Sequence, residues 1–331
     1  VEQQGGVMRR PRIKLDGAGF YHCISRVVAG EHLFDDQAKD VLRSMIWQVA
    51  AFSGVEVVAY CILSNHFHVL IRVQPATNDV FPDPALLLER YRQLYSRQDG
   101  ALRDYPSPEA LQVTLARGGD EAEQWKLRLQ RRMGDVSEFM KTLKQRFTTW
   151  FNHSHGRFGT LWSERFKSIL VQNHPETLQT IAAYIDLNPV RAGLVADPAE
   201  YRWCSYADAM SGKPRAQAGL SLVVDCPNPG DLLAAYRLVL FGKGATTRTE
   251  SVHKIPSTRV AEILRKQGKL SREEFLRQRQ PTLNNGLVFG LPEWVQSHSQ
   301  DPTSVSMLTN LASSETAPLA TLRRSRHCSK T

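Results

Sequence analysis

Val57-Val58-Ala59-Tyr60-Cys61-Ile62-Leu63-Ser64-Asn65-His66-Phe67-His68-Val69-Leu70-Ile71-Arg72-Val73 decides the fold. Two apolar runs, Val55 to Leu63 and Phe67 to Val73, flank the turn-like dipeptide Ser64-Asn65 and read as two adjacent strands. The histidines stand at the start of the second. Residues i and i+2 of a strand point to one side of the sheet. His66 and His68 therefore leave the same face side by side, where two nitrogens can share one metal ion. Buried imidazoles among apolar neighbours need a partner. A metal would serve, and so would a structural hydrogen bond.

Further strands and helices appear on either side. Phe20 to Val28 reads as a preceding strand, and Leu161 to Val171 as a following one. Asp35 or Asp36 caps a helix to about Phe52, with Leu42, Met45, Ile46, Val49 and Ala50 on one stripe. Pro82 to about Tyr95 is helical, and Gln98 to Asp120 reads as a loop-bearing insertion. Val136, Phe139, Met140, Leu143, Phe147 and Trp150 have the spacing of a core-facing helix. Pro175 opens another helix, which Pro189 stops. Strand, helix, two strands, helix, strand, helix predicts an α+β fold, a ferredoxin-like βαββαβ sheet with helices on one face.

Composition limits the function. The chain has 331 residues, 42% of them hydrophobic, and carries a formal charge of +9. That hydrophobic content excludes a disordered protein, and the charge favours a polyanionic partner, nucleic acid first. Cys23, Cys61, Cys204, Cys226 and Cys328 never fall in C-x-x-C spacing, which argues against a disulfide framework or zinc ribbon and fits a reducing cytosol. No apolar run is long enough for a bilayer, so no membrane partner is expected. Met8 reads as a start, with Val1 to Val7 as an upstream extension lacking a signal-peptide core.

A second H-x-H, His153-Ser154-His155, follows the amphipathic helix. On a helix, i and i+2 diverge by about 200°, so this pair suits a helix end or a phosphate contact better than a metal. Tyr184 and Asn188 are four apart and stand one above the other on a helix. They offer a phenol and an amide oxygen. Tyrosine, with a pKa near 10, attacks a phosphodiester only if the phosphate is polarised and the leaving oxygen stabilised. The alternative is a half-buried core tyrosine before an Asn-Pro helix stop.

Together these stretches resemble the HUH single-tyrosine transposases, most closely the REP-associated tyrosine transposases. The residues that carry the resemblance are Arg10-Pro11-Arg12, Tyr21-His22, Ser25-Arg26, Tyr60 to His68, Gly159 to Lys167, Tyr184 to Val195, Tyr201 to Trp203 and Ser205-Tyr206. The resemblance covers roughly residues 8 to 210. It implies a nuclease acting on single-stranded DNA, with His66 and His68 as ligands of Mg²⁺ or Mn²⁺, Asn188 completing the coordination where relatives often carry Gln, and Tyr184 as nucleophile. It also implies cutting and rejoining near REP-like hairpins through a 5′-phosphotyrosine, in the cytoplasm at the nucleoid, by a monomer or a dimer. A catalytically idle hairpin-binding regulator is the alternative.

Between Glu123 and Gln172, ten Lys and Arg oppose four Asp and Glu, a local surplus of +6. Lys141, Lys144, Arg157, Arg165 and Lys167 from this stretch, with Arg9, Arg10 and Arg12 of a basic N-terminal arm, are the candidate DNA contacts. Phe158, Trp162 and Phe166 interleave with the cations and suit stacking of unpaired bases, although Phe166 equally suits the core. The expected organisation is a nuclease domain at 8–210 with a helical insertion at 98–135, a helical extension at 211–296 and a disordered tail at 297–331.

Overall fold

The Phe20 run forms β1 (Gly19–Arg26), and α1 (Asp36–Ser53) leads into β2 (Val55–Ile62) and β3 (His66–Val73). The computed structural model describes residues 12–74, 83–95, 105–195, 197–227, 231–241, 286–298, 305–308 and 319–323. Asp35 caps α1, its carboxylate accepting from the Ala38 amide at 2.7 Å, and Gly54 ends it at φ 64°. Then follow α2 (Pro84–Tyr95), α3 (Pro108–Arg117), α4 (Asp120–Gln130), α5 (Val136–Ser154) and β4 (Lys167–Val171). The strand order β2-β3-β1-β4, antiparallel throughout, is the ferredoxin-like sheet expected.

The insertion expected at 98–135 carries α3 and α4, and α3 falls within the stretch at 98–120 that reads as loop-bearing. Ser107 caps α3 by accepting from the Ala110 amide, and Pro108 occupies its first turn. β4 is shorter than the Leu161–Val171 run suggested. Trp162 bridges Val27 outside the ladder, and its indole Nε1 donates to Thr148 at 2.8 Å.

Helices on one face was also wrong. Phe67 meets Trp162, which meets Phe147 of α5, so that side of β3 faces α5. His68, one residue on, meets the ring of Tyr184 in α6 (Pro175–Asp186), which therefore covers the opposite face. The sequence carried this signal. β2 is apolar on both sides from Val57 to Ile62, the mark of a strand buried on two faces rather than one.

Pro189 does not stop the helical path. It sits in the first turn of α7 (Asn188–Arg191), where its missing N–H costs nothing. α8 (Ser205–Met210), α9 (Pro214–Ser221) and α10 (Leu232–Phe241) follow. The segment before α8 seals the outer edge of β2. Trp203 accepts from the Ile62 amide at 3.0 Å, Ser205 Oγ accepts from Tyr60 at 3.0 Å, and the Tyr201 hydroxyl donates to Ile62 at 2.8 Å. An unpaired strand edge is thereby removed. α9 crosses β2 so closely that a Cβ on Gly219 would lie 2.4 Å from the Val57 carbonyl.

The C-terminal expectations need correction. The 211–296 extension ends in β5 (Gly286–Gly290) and α11 (Pro292–Ser297), and the 297–331 tail supplies β6 (Val305–Leu308) and β7 (Leu319–Arg323). These strands continue the sheet as β4-β5-β7-β6, with β5 parallel to β4. The tail is poor in aromatics, but strands of four or five residues are held by backbone pairing to an edge already formed, which composition does not register. The helical stretch expected at 257–280 lies outside the described residues. Among those described, no helix is long and apolar enough to cross a membrane.

Candidate active site

β1 and β3 set the imidazoles. The pairs His22↔Leu70, Ile24↔His68 and Arg26↔His66 put His22, Arg26, His66 and His68 on one face, and Ile24↔Lys167 adds Lys167 from β4. His66 and His68 are 5.1 Å apart between ring centroids. Nδ1 of His66 lies 2.6 Å from the Asn65 side-chain oxygen, and the Asn65 amide nitrogen donates to Gly30 at 3.2 Å. Nδ1 of His68 lies 2.9 Å from Nε2 of His22. Burial pushes His66 down to about 4, helped by Arg26 and His32, and takes His22 down to about 3. Burial also drives His68 well below its usual range, with His66 and His22 adding to it. All three rings are neutral near pH 7.

The phenol arrives from α6. Tyr184 is fully buried, its ring edge-on to His68 at 5.7 Å and to His22 at 5.9 Å. Arg191 of α7 folds back so that its guanidinium lies 4.7 Å from the Tyr184 ring centroid while Nη1 donates to the Tyr184 carbonyl at 2.7 Å. The Asn188 amide nitrogen donates to the Tyr184 and Ile185 carbonyls at 2.9 and 3.2 Å. It closes the end of α6 and leaves Oδ1 as the only atom with which Asn188 can ligate. Asp186, two residues past the tyrosine, accepts from Ser205 Oγ at 2.7 Å, the Tyr206 amide at 3.1 Å and the Tyr236 hydroxyl at 2.7 Å. Those bonds fasten the tyrosine helix to α8 and α10.

Among the described residues no group of three His, Cys, Asp or Glu is arranged to hold a metal. What the face offers is two neutral imidazoles, each with Nδ1 engaged by a neighbour. Neutral rings held through the second nitrogen are the usual state of histidine ligands. Such a set fits a cation that takes its other positions from water and phosphate.

The cations divide. Arg12 stacks 3.7 Å over Phe166, and the Lys144 ammonium donates to the Glu164 carbonyl at 2.9 Å. Burial, with Arg12 nearby, pushes Lys144 down to about 8. Lys167 pairs with Glu164 at 3.6 Å, and Lys141 pairs with Glu138 at 3.2 Å. Arg165 is exposed and Arg157 half-buried; Arg9 and Arg10 lie outside the described residues. Of the three interleaved aromatics, Trp162 and Phe166 are buried while Phe158 is 96% exposed. Phe158 sits between Gly156 and Gly159, both at positive φ, and the Asn152 amide braces the turn at the Gly159 carbonyl, 2.9 Å away. In the second H-x-H, His155 stacks on Phe151 at 4.0 Å and caps α5, while His153 is exposed.

Sequence reasoning missed His22, Asp186 and Arg191 as site residues. For His22 the alternation of β1 was a usable signal, since His22 and Ile24 share a face. For Asp186 and Arg191 none existed, because their partners lie on other elements.

Residues 18–79 match the family model described as "Transposase IS200 like". That stretch runs from β1 through β3 and holds His22, His66 and His68, and over it the chain is similar to the family that the motifs pointed to. No curated protein matches. Among solved structures, one described as "Structure of the REP associates tyrosine transposase bound to a REP hairpin" is 16% identical, with a TM-score of 0.37, covering 63% of this chain and 90% of that one.

Proposed function

We propose that this chain is a metal-dependent single-tyrosine DNA strand transferase that cuts and rejoins single-stranded DNA beside REP-like hairpins, working in the cytoplasm at the nucleoid. One observation carries the reading: two neutral imidazoles from β3 and a phenol from α6 meet on one sheet face, the His68 and Tyr184 rings 5.7 Å apart. The family match over residues 18–79 supports it.

His66, His68 and Oδ1 of Asn188 would hold Mg²⁺ or Mn²⁺. Bound there, the cation would draw negative charge from a phosphate oxygen. Arg26 and Lys167, on the same face, would hold the flanking phosphates. The Tyr184 oxygen attacks phosphorus as its proton passes to water, and water protonates the departing 3′ oxygen. The P–O3′ bond breaks, leaving a 5′-phosphotyrosine and a free 3′-hydroxyl. Arg191, beside the ring, would stabilise the developing phenolate. A second 3′-hydroxyl then attacks the phosphotyrosine and releases the phenol. One phosphodiester replaces another, so no ATP is consumed.

The test is a labelled single-stranded hairpin incubated with the protein and Mn²⁺, then resolved under denaturing conditions. A covalent protein–DNA band is expected with wild type and not with Tyr184→Phe, while hairpin binding survives in both. Binding without a band from wild type would leave a regulator; cleavage by Tyr184→Phe would mean water is the nucleophile.

A further inference from the structure

We propose that His22 is a positioning residue that fixes which nitrogen of His68 stays bare and so prepares His68 to take a divalent cation. This rests on the strand-transferase reading. An imidazole ligates through a nitrogen that carries no proton. His66 has that question answered by Asn65. The Asn65 amide nitrogen donates to Gly30, so the amide oxygen faces Nδ1 of His66, and the proton must sit on Nδ1. Nε2 of His66 is left bare.

His68 has no such amide. Its Nδ1 meets Nε2 of His22 at 2.9 Å, and two proton arrangements satisfy that contact. In one, His68 donates from Nδ1, its Nε2 is bare, and His22 carries its proton on Nδ1. In the other, His22 donates from Nε2 and His68 is protonated on Nε2, where a cation would have to bind. Ligation therefore selects the first arrangement, with His22 as the acceptor. This is the outer partner that a metal-binding histidine ordinarily finds in a carboxylate or a carbonyl.

Packing alone does not explain His22. It is fully buried on the site face, its ring edge to edge with that of His68, 5.1 Å between centroids and 22° between planes. Nδ1 of His22 is buried with no hydrogen-bond partner among the described residues. A phenylalanine would fill the same space with no polar atom stranded. What a phenylalanine cannot do is accept a proton from His68.

The test uses the full chain with ¹⁵N-labelled histidine. Ring ¹⁵N shifts of the metal-free protein show where the His68 proton sits, and Mn²⁺ titration gives affinity. Wild type is expected to carry the proton on Nδ1. So is His22→Gln, whose amide oxygen reaches about as far as Nε2. His22→Phe is expected to move the proton toward Nε2 and to weaken Mn²⁺ binding by about 10- to 100-fold. A wild-type His68 protonated on Nε2 overturns the proposal without need of any variant. So does His22→Phe with unchanged shifts and affinity, or His22→Gln as impaired as His22→Phe. Mn²⁺ binding that is equal in wild type and His66→Ala would instead overturn the strand-transferase reading, and the metal-free shifts would still decide the part played by His22.

Discussion

Replacing Asp186 by Asn should stabilise the protein at alkaline pH and lose that advantage in acid. Asp186 is completely buried and accepts three hydrogen bonds, yet burial still outweighs them and raises its carboxyl from 3.8 to about 6. That rise is worth about 3 kcal/mol against the ionised form in the fold. Asparagine keeps Oδ1 for Ser205 and Tyr206 and turns an N–H toward the Tyr236 hydroxyl, which can accept. The contacts survive and the buried charge goes. The sign follows from linkage. Above pH 6 both folded and unfolded wild type are ionised, and the full penalty stands. Between about 6 and 3.8 the folded state takes up a proton before the unfolded state does, so wild type gains stability as pH falls. Urea unfolding followed by tryptophan fluorescence should put Asp186→Asn ahead by up to about 3 kcal/mol near pH 8, and close to level near pH 4. The histidines titrate alike in both proteins and cancel in the difference. A difference that does not change with pH, or an Asn variant weaker than wild type at pH 8, would refute the reasoning.

Three further outcomes can be measured. Gly219→Ala should cost about 1–3 kcal/mol or more in urea unfolding, because its Cβ would sit 2.4 Å from the Val57 carbonyl, and backbone cannot rotate away. Phe158→Ala should weaken single-stranded DNA binding by about tenfold with no loss of thermal stability, since one exposed aromatic can stack one base. His66, held down at about 4 by burial, opposes Asp186. Its unfolded form takes a proton near 6.5, so its share of stability is whole above that pH and is lost as pH falls toward 4, by about 3 kcal/mol at most. His66→Gln should remove that portion of the acid sensitivity in the same unfolding assay.

Reading outward from Ser64-Asn65 gave the central sheet because each strand announces itself locally, by apolar runs and a turn. His66, His68 and Tyr184 were legible for the same reason, since each rests on spacing within one element. What stayed hidden depends on contacts between elements. Nothing within its own helix marks Asp186 for the bonds that Ser205, Tyr206 and Tyr236 make to it from other elements. Arg191 follows a proline that reads as a stop, and only the α7 turn brings its guanidinium back to the phenol. The terminal strands escaped because their pairing is made by main chain.

The Asp186 bonds fasten α6 just beyond the tyrosine, to α8 through Ser205 and Tyr206 and to α10 through Tyr236. On the strand-transferase reading, those bonds would hold the helix that bears the nucleophile in place. Once joined to a 5′ end, Tyr184 would act as a fixed post, and the exchange of partners would fall to the nucleic acid: one 3′ end drifting off, another threading in. The traffic at such a centre is governed by how fast strands come and go past a stationary anchor, so turnover should follow the length and pairing of the DNA more closely than any motion of the protein.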